Sequence, residues 1–166
     1  MGQKLTRGDV EKIQAEIDQR RIDLRPQLTS AVAEAAAQGD RSENFEYYAA
    51  KQENNRNNSR IRYLQNVLRY AEVIEYAPDG EVGVDKEVTV YIPDEDEEET
   101  FILVTPIRTN SLNNIVSIDS PVGRALMHHH VGDTVWIRVN ENYSYECEIR
   151  EVRPSQTAAE LDISAF

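Results

Sequence analysis

Apolar or small residues recur at Val10, Ile13, Ile17, Leu24, Leu28, Ala31 and Ala35, in a helical pattern. A second series runs through Tyr47, Ala50, Asn54, Asn57, Ile61, Leu64, Leu68 and Ala71, in steps of three and four. Such steps place each series on one side of a helix. Between them Gly39 is suited to ending a helix in the left-handed conformation. Turning the chain there sets Ala35 beside Tyr47, Leu28 near Asn54, Ile17 near Leu64, Ile13 near Leu68 and Val10 near Ala71. The pattern therefore predicts an antiparallel helical hairpin, with arms of roughly 30 residues and a length of about 45 Å. Thr6 is the expected N-cap of the first helix, and Ser42 or Asp40 of the second. Pro26 lies inside the first helical pattern and removes a backbone donor, so a kink is expected there. The apolar steps change phase between Ile17 and Leu24, as a stutter would produce. Asn54 and Asn57 put amides in the seam, a device that sets register at some cost in stability.

The second helix is expected to end near Ile74, and Ala77-Pro78-Asp79-Gly80 then interrupts the chain. Beyond it the period falls to two. Residues 87–92 and 101–104 read as strands flanking an acidic connection at residues 93–99, and residues 115–118, 135–139 and 143–152 read as further strands. Ser120 to Met127 forms a short helix, with Ser120 as cap and Pro121 in its first turn. Phe101 and Trp136 fall on strand positions and are assigned to the core. The tail at residues 156–166 has weak helical character. The expected architecture is a helical hairpin over residues 1–76, a linker at 77–80 and a compact α+β module over 81–166.

Charge sharpens that division. Through Tyr76, 12 Lys+Arg balance 12 Asp+Glu, so the remaining 6 basic and 18 acidic residues carry the whole net charge of −12. An acidic second half repels phosphate and argues against broad nucleic-acid binding through it. The single cysteine, Cys147, excludes an intrachain disulfide and lies in a strand-like run where it is chemically inert. No N-terminal apolar run suits a signal peptide or membrane span, so a cytoplasmic protein with no membrane partner is expected.

Candidate chemistry gathers at the turn. Asp40 and Glu43 lie three apart at a helix start and can face one point beyond the hairpin tip. Carboxylates there are hard ligands suited to Mg²⁺, but two alone leave most of its six positions to other donors. The competing reading is that these acids merely stabilise the helix N-terminus.

Gly39-Asp40-Arg41-Ser42-Glu43-Asn44-Phe45-Glu46-Tyr47 resembles the tip signature of the GreA/GreB transcript-cleavage factors of bacterial RNA polymerase. So do Arg25-Pro26, Ala49-Ala50-Lys51, Arg60-Ile61 and Ala71-Glu72-Val73-Ile74. In the second half the likeness continues at Ser120-Pro121-Val122-Gly123-Arg124-Ala125-Leu126 and Val131-Gly132-Asp133. The resemblance implies an N-terminal coiled coil and a C-terminal FKBP-like domain. It further implies that the coiled coil enters the polymerase secondary channel, where the polymerase cuts the backtracked 3′ end of its own RNA.

On that resemblance Asp40 and Glu43 would share a Mg²⁺ with the polymerase, none being held tightly by the chain alone. Ser42 would orient the water or the tip. Arg56, Arg60, Arg62 and Arg69 could form a basic strip along the second helix, the first three being the RNA-contact candidates. Ser120, Pro121, Gly123 and Arg124 are the polymerase-docking candidates. The chain would act as a monomer and a cofactor of polymerase, not as an enzyme by itself.

Two places depart from the family pattern. The loop at residues 105–111 lacks the family's acids, which bears on docking, and His128-His129-His130 stands where Gly or Lys is usual. Three consecutive histidines do not converge on one metal in regular structure. Subtype pointers are mixed, with residues 39–44 and 62–64 towards GreB and residues 49–51 towards GreA; the balance leans to GreA. The alternatives are a channel-binding regulator that does not stimulate cleavage, a prolyl isomerase, which would need an aromatic-lined pocket, and a coiled-coil adaptor without chemistry.

Overall fold

The computed structural model describes residues 2–38, 44–108 and 114–165. The chain divides into two compact units, Met1–Gly2 with Asp9–Ala71, and Gln3–Gly8 with Glu72–Phe166. Residues 3–8 and 72–76, assigned from periodicity to the hairpin, thus belong to the second unit.

The first unit is built from α1 (Arg7–Asp18), a π-helical turn (Gln19–Leu24), α2 (Arg25–Ala36) and α3 (Phe45–Tyr70). The change expected at Pro26 takes the form of that π turn. Arg25 N–H donates to the Arg20 carbonyl, five residues back, and Pro26 opens α2. Proline lacks a donor and crowds the carbonyl of the preceding turn; the wider turn accommodates both and absorbs an extra residue, shifting the phase of the apolar stripe.

The apolar seam follows the predicted spacing in part: Val10, Leu24 and Leu28 are only half-buried and Ala31 is exposed. Ile13, Ile17, Ala35, Ile61 and Leu64 are buried, joined by Val67, while Leu68 is only half-buried. Asn57 is buried among them at 3 % exposure. Its Nδ2 donates to the Arg20 carbonyl at 3.2 Å, and its Oδ1 accepts from Arg20 Nη1 at 3.0 Å. Beside it, Arg25 Nε donates to Asn58 Oδ1 at 3.0 Å. The amide thus bonds to backbone within the π turn and pins α3 against it. Asn54 makes no such bond; its Oδ1 is buried without a hydrogen-bond partner among the described residues.

The second unit opens with β1 (Lys4–Leu5), which pairs in parallel with β2 (Glu72–Val73). A five-stranded sheet follows in the order β5-β4-β3-β7-β6. Its strands are β3 (Lys86–Ile92), β4 (Glu97–Val104), β5 (Ile115–Ser117), β6 (Thr134–Asn140) and β7 (Tyr143–Pro154). Within this sheet, among the described residues, only the β4–β5 pairing is parallel. Ile92 pairs with Glu97, so the connection is tighter than the acidic run suggested and residues 97–99 are strand. Tyr91 helps close it by donating to Asp96 Oδ1 at 2.6 Å.

One face of the sheet carries the main core, in which Val88, Val90, Phe101, Leu103, Ile137 and Ile149 meet Leu126 of α4 (Pro121–Leu126). On the other face Ile102, Val104 and Ile115 are covered by Ala158 of α5 (Gln156–Glu160) and by Leu161. The tail is tied down by Arg108, which is buried, forms an ion pair with Asp85 at 2.6 Å and donates to the Ala158 carbonyl at 2.7 Å. Trp136 is not core. It stands between the inward-facing Val135 and Ile137 on β6, so the alternation of a strand turns it outward, and it is 63 % exposed.

Replacing Asn57 with Ala leaves the Arg20 side chain without its Asn57 acceptor and opens a gap in the seam. The helical unit is expected to lose about 1–3 kcal/mol of stability, read by urea denaturation with helical circular dichroism. An unchanged transition would show that the amide does not hold the register.

Candidate functional site

The hairpin tip is held at both flanks. After α2, Ala37 N–H donates to the carbonyls of Ala33 and Glu34 at 3.1 and 3.2 Å, and Gln38 N–H to that of Ala35 at 3.3 Å. On the far side Asn44 has an extended backbone and precedes α3. Its Oδ1 accepts from Tyr47 N–H at 3.0 Å, and its Nδ2 donates to the Ala35 carbonyl at 2.6 Å. One side chain therefore caps α3 and ties that cap to the end of α2. The cap is Asn44, not Ser42 or Asp40, because α3 starts at Phe45 and the capping residue is the one just before the first helical turn. Asp40, Ser42 and Glu43 lie outside the described residues. Glu46 sits exposed in the first turn of α3, where its charge is favourable to the helix N-terminus. Phe45 beside it is 87 % exposed.

Along α3 the four arginines separate. Arg60 is turned to the hairpin seam, where its Nε and Nη2 donate to Glu16 at 2.8 and 3.3 Å, and its side chain is only 10 % exposed. Arg20 shares the same carboxylate at 2.8 Å. Burial pushes the Glu16 carboxyl up, but the hydrogen bonds and charges of Arg60 and Arg20 outweigh it and hold the group below its ordinary value. Arg60 is thus part of a structural ion-pair network and not of an open strip. Arg56, Arg62 and Arg69 are exposed, Arg62 donating to Ser59 Oγ at 3.3 Å.

In the second unit the docking candidates also divide. Ser120 Oγ accepts from Gly123 N–H at 3.1 Å and donates to the Ser117 carbonyl at 2.6 Å, so it caps α4 as expected. Gly123 is buried, and a Cβ there would strike the Ser117 carbonyl. These two build the helix, whereas Pro121 and Arg124 are exposed on it.

The three histidines are exposed. His130 Nε2 lies 3.5 Å from Glu81, His129 Nδ1 lies 3.4 Å from Asp133, and His130 N–H donates to Asp133 at 2.8 Å. Among the described residues no three His, Cys, Asp or Glu side chains gather as a metal site. Tyr76 and His128 are the aromatic side chains among the described residues lining a cavity of about 710 Å³ in this unit, which therefore lacks the aromatic lining of a prolyl-isomerase pocket. Burial pushes the Cys147 thiol up to about 11, which keeps it protonated. Among the described residues no helix is long and apolar enough to cross a membrane.

Both units match family models. Residues 3–73 match the model described as "Transcription elongation factor, N-terminal", and residues 77–154 that described as "Transcription elongation factor, GreA/GreB, C-term". The chain belongs to the GreA/GreB family. "Transcription elongation factor GreA" of Oenococcus oeni is 38% identical over 151 residues, which cover 89% of this chain and 93% of that relative. The protein of the same description from Thermosipho africanus is 39% identical, over 81% of this chain and 86% of that one. Among solved structures, GreA factor homolog 1 (Gfh1) of Thermus thermophilus aligns over 92% of this chain and 99% of its own, with 25% identity and a TM-score of 0.44. The two matched stretches correspond to the helical unit and the sheet unit, and the first spans Asp40–Glu43 in sequence.

Two outcomes follow from this geometry. Asn44→Ala removes a cap and the strap to Ala35, and is expected to cost about 1 kcal/mol and to speed hydrogen exchange at the Tyr47 amide. Protection equal to the parent would exclude that strap. For Glu16 the folded value is depressed, so its stabilisation is complete above the ordinary 4.5 and is lost as pH falls below it. Acid unfolding of the helical unit should therefore steepen in that window, and Glu16→Gln should flatten it.

Proposed function

We propose that this chain enters the secondary channel of bacterial RNA polymerase and stimulates the polymerase's own cleavage of backtracked RNA 3′ ends. The supporting observation is Asn44, which secures the flanks of an acidic tip at the end of a helical hairpin in a GreA/GreB-family chain. Tied flanks on either side of Asp40 and Glu43 would help a hairpin carry these carboxylates to a distant active centre.

The donor set fits Mg²⁺ in part. Two carboxylates from Asp40 and Glu43 are the hard oxygens it prefers, and too few to complete six positions, so polymerase carboxylates, RNA phosphate and water would supply the rest. Such an ion, when bound, lowers the pKa of an attacking water and stabilises charge on the leaving oxygen. Ser42 would orient the water or the tip by hydrogen bonding. Arg56 and Arg62 would meet the extruded RNA, while Arg60 would act at one remove by keeping the hairpin straight through Glu16. Pro121 and Arg124 would touch the polymerase rim, on a helix held in place by Ser120 and Gly123. The nuclease centre belongs to the polymerase.

The test uses polymerase stalled with backtracked, end-labelled RNA in Mg²⁺. The parent chain should accelerate cleavage, and Asp40→Ala at equal occupancy should lose at least about tenfold of that acceleration, in line with loss of a group acting in the transition state. Binding without acceleration by the parent would instead identify a channel-blocking regulator. Absence of binding would end the polymerase reading.

A further inference from the structure

Residues 77–166 contain 6 cationic side chains among 18 acidic ones. Four of the cations are engaged within the unit. Lys86 Nζ donates to the carbonyls of Pro78 and Glu81 at 2.5 and 2.6 Å, and Arg108 pairs with Asp85. Arg150 lies over the Tyr91 ring at 4.6 Å and beside Glu148, and Arg153 pairs with Glu87 at 2.6 Å. The side chains of the other two, Arg124 and Arg138, have no acidic or hydrogen-bonding partner among the described residues. Both line one open groove of about 410 Å³, with Pro121, Ala125 and the exposed Trp136. In a surface rich in carboxylates, the two guanidiniums of residues 77–166 without a side-chain partner line the same groove as the chain's single tryptophan.

The groove has a rigid frame. Pro121 and Arg124 are set by α4, which is anchored by buried Leu126; Trp136 and Arg138 are set by β6, anchored by Val135 and Ile137. Tryptophan and arginine on a fixed scaffold are the residues that most often dominate protein–protein binding energy. Guanidinium groups match carboxylates by paired, charge-assisted hydrogen bonds.

We propose that this groove seats an acidic segment of a protein partner, with Trp136 as its apolar anchor and Arg124 and Arg138 as its carboxylate clamps. Charge complementarity selects that occupant. A long polyanion such as RNA would have to cross the surrounding acids, which carry the whole net −12. A short acidic stretch with one apolar side chain answers both arginines and the tryptophan without leaving the groove. The proposal rests on the polymerase reading and deepens it, the occupant being an acidic stretch on the polymerase surface. It adds Trp136 and Arg138 to the docking residues and supplies an electrostatic reason for Arg124.

The single tryptophan makes the test direct. The full chain carrying 5-fluorotryptophan has one fluorine resonance, which is followed on adding core RNA polymerase, a single-stranded RNA oligonucleotide, or more of the chain itself. Polymerase should shift or broaden it, and the other two should not. Arg124→Glu/Arg138→Glu should raise the factor concentration that half-saturates transcript cleavage by about tenfold or more, with greater loss at low salt than at high. The charge-matched pair Arg150→Glu/Arg153→Glu, outside the groove, should not. Parent-like half-saturation by the first pair, with an undisturbed resonance and cleavage still stimulated, overturns the groove and leaves the polymerase reading standing. Failure to bind polymerase at all overturns both. A resonance that moves only with RNA, or only with added chain, overturns the protein-partner assignment in favour of a nucleic-acid face or a second copy.

Discussion

What the hairpin can present at its end depends on the Asn44 carboxamide. A helical hairpin has its weakest point at the turn, where the last carbonyls of one helix and the first amides of the next are unpaired. Asn44 serves both sides: its oxygen takes the Tyr47 amide, and its nitrogen adds a second, shorter donor at 2.6 Å to the Ala35 carbonyl that Gln38 N–H already meets. The two helix ends are thereby joined by a short polar bridge, not by the loop alone. The Ala35 carbonyl and the Tyr47 amide are thus held through one side chain, on either side of residues 39–43.

The two units use opposite means to become specific. The hairpin seam is thin, with few large apolar side chains, and its register rests on polar pairs of defined geometry: Asn57 to Arg20, Arg25 to Asn58, and Glu16 shared by Arg20 and Arg60. The second unit has cores on both faces of its sheet and places its buried ion pair, Arg108 with Asp85, where the tail is fastened. Of the six cations in residues 77–166 four are engaged, so the other two stand out against an acidic background.

The hairpin was legible in the sequence because steps of three and four persist over both arms, and the strands because the period falls to two. The π turn was visible only as a change of phase between Ile17 and Leu24; periodicity shows that a shift occurs but not which hydrogen bonds carry it. Arg60 read as an open cation because its partner, Glu16, lies on the other arm, 44 residues away. Asn44 was passed over for Ser42 and Asp40, all three being good caps, and the choice turns on where the first helical residue falls. The outward facing of Trp136 is carried by its neighbours: Val135 and Ile137 cannot both face inward unless the residue between them faces out. Residues 101–104 read only as a strand; the structure shows why the run is apolar without alternation, since the tail and α5 cover its second face. The tip carboxylates themselves were legible only as a motif.

The π turn also has a mechanical meaning. Each residue of an α-helix advances the chain by about 100° around its axis, so one additional residue in a turn alters the facing of everything on one side of it. Gln19–Leu24 is therefore a vernier between two halves of one arm: α2 keeps the facing that lets Ala35 meet Asn44, while α1 keeps the facing that buries Ile13 and Ile17. Deleting a single residue from this turn would leave composition, charge and helix content almost unchanged. It would nevertheless force one half of the arm to face the wrong way, so that the chain could satisfy its seam or its tip, but not both.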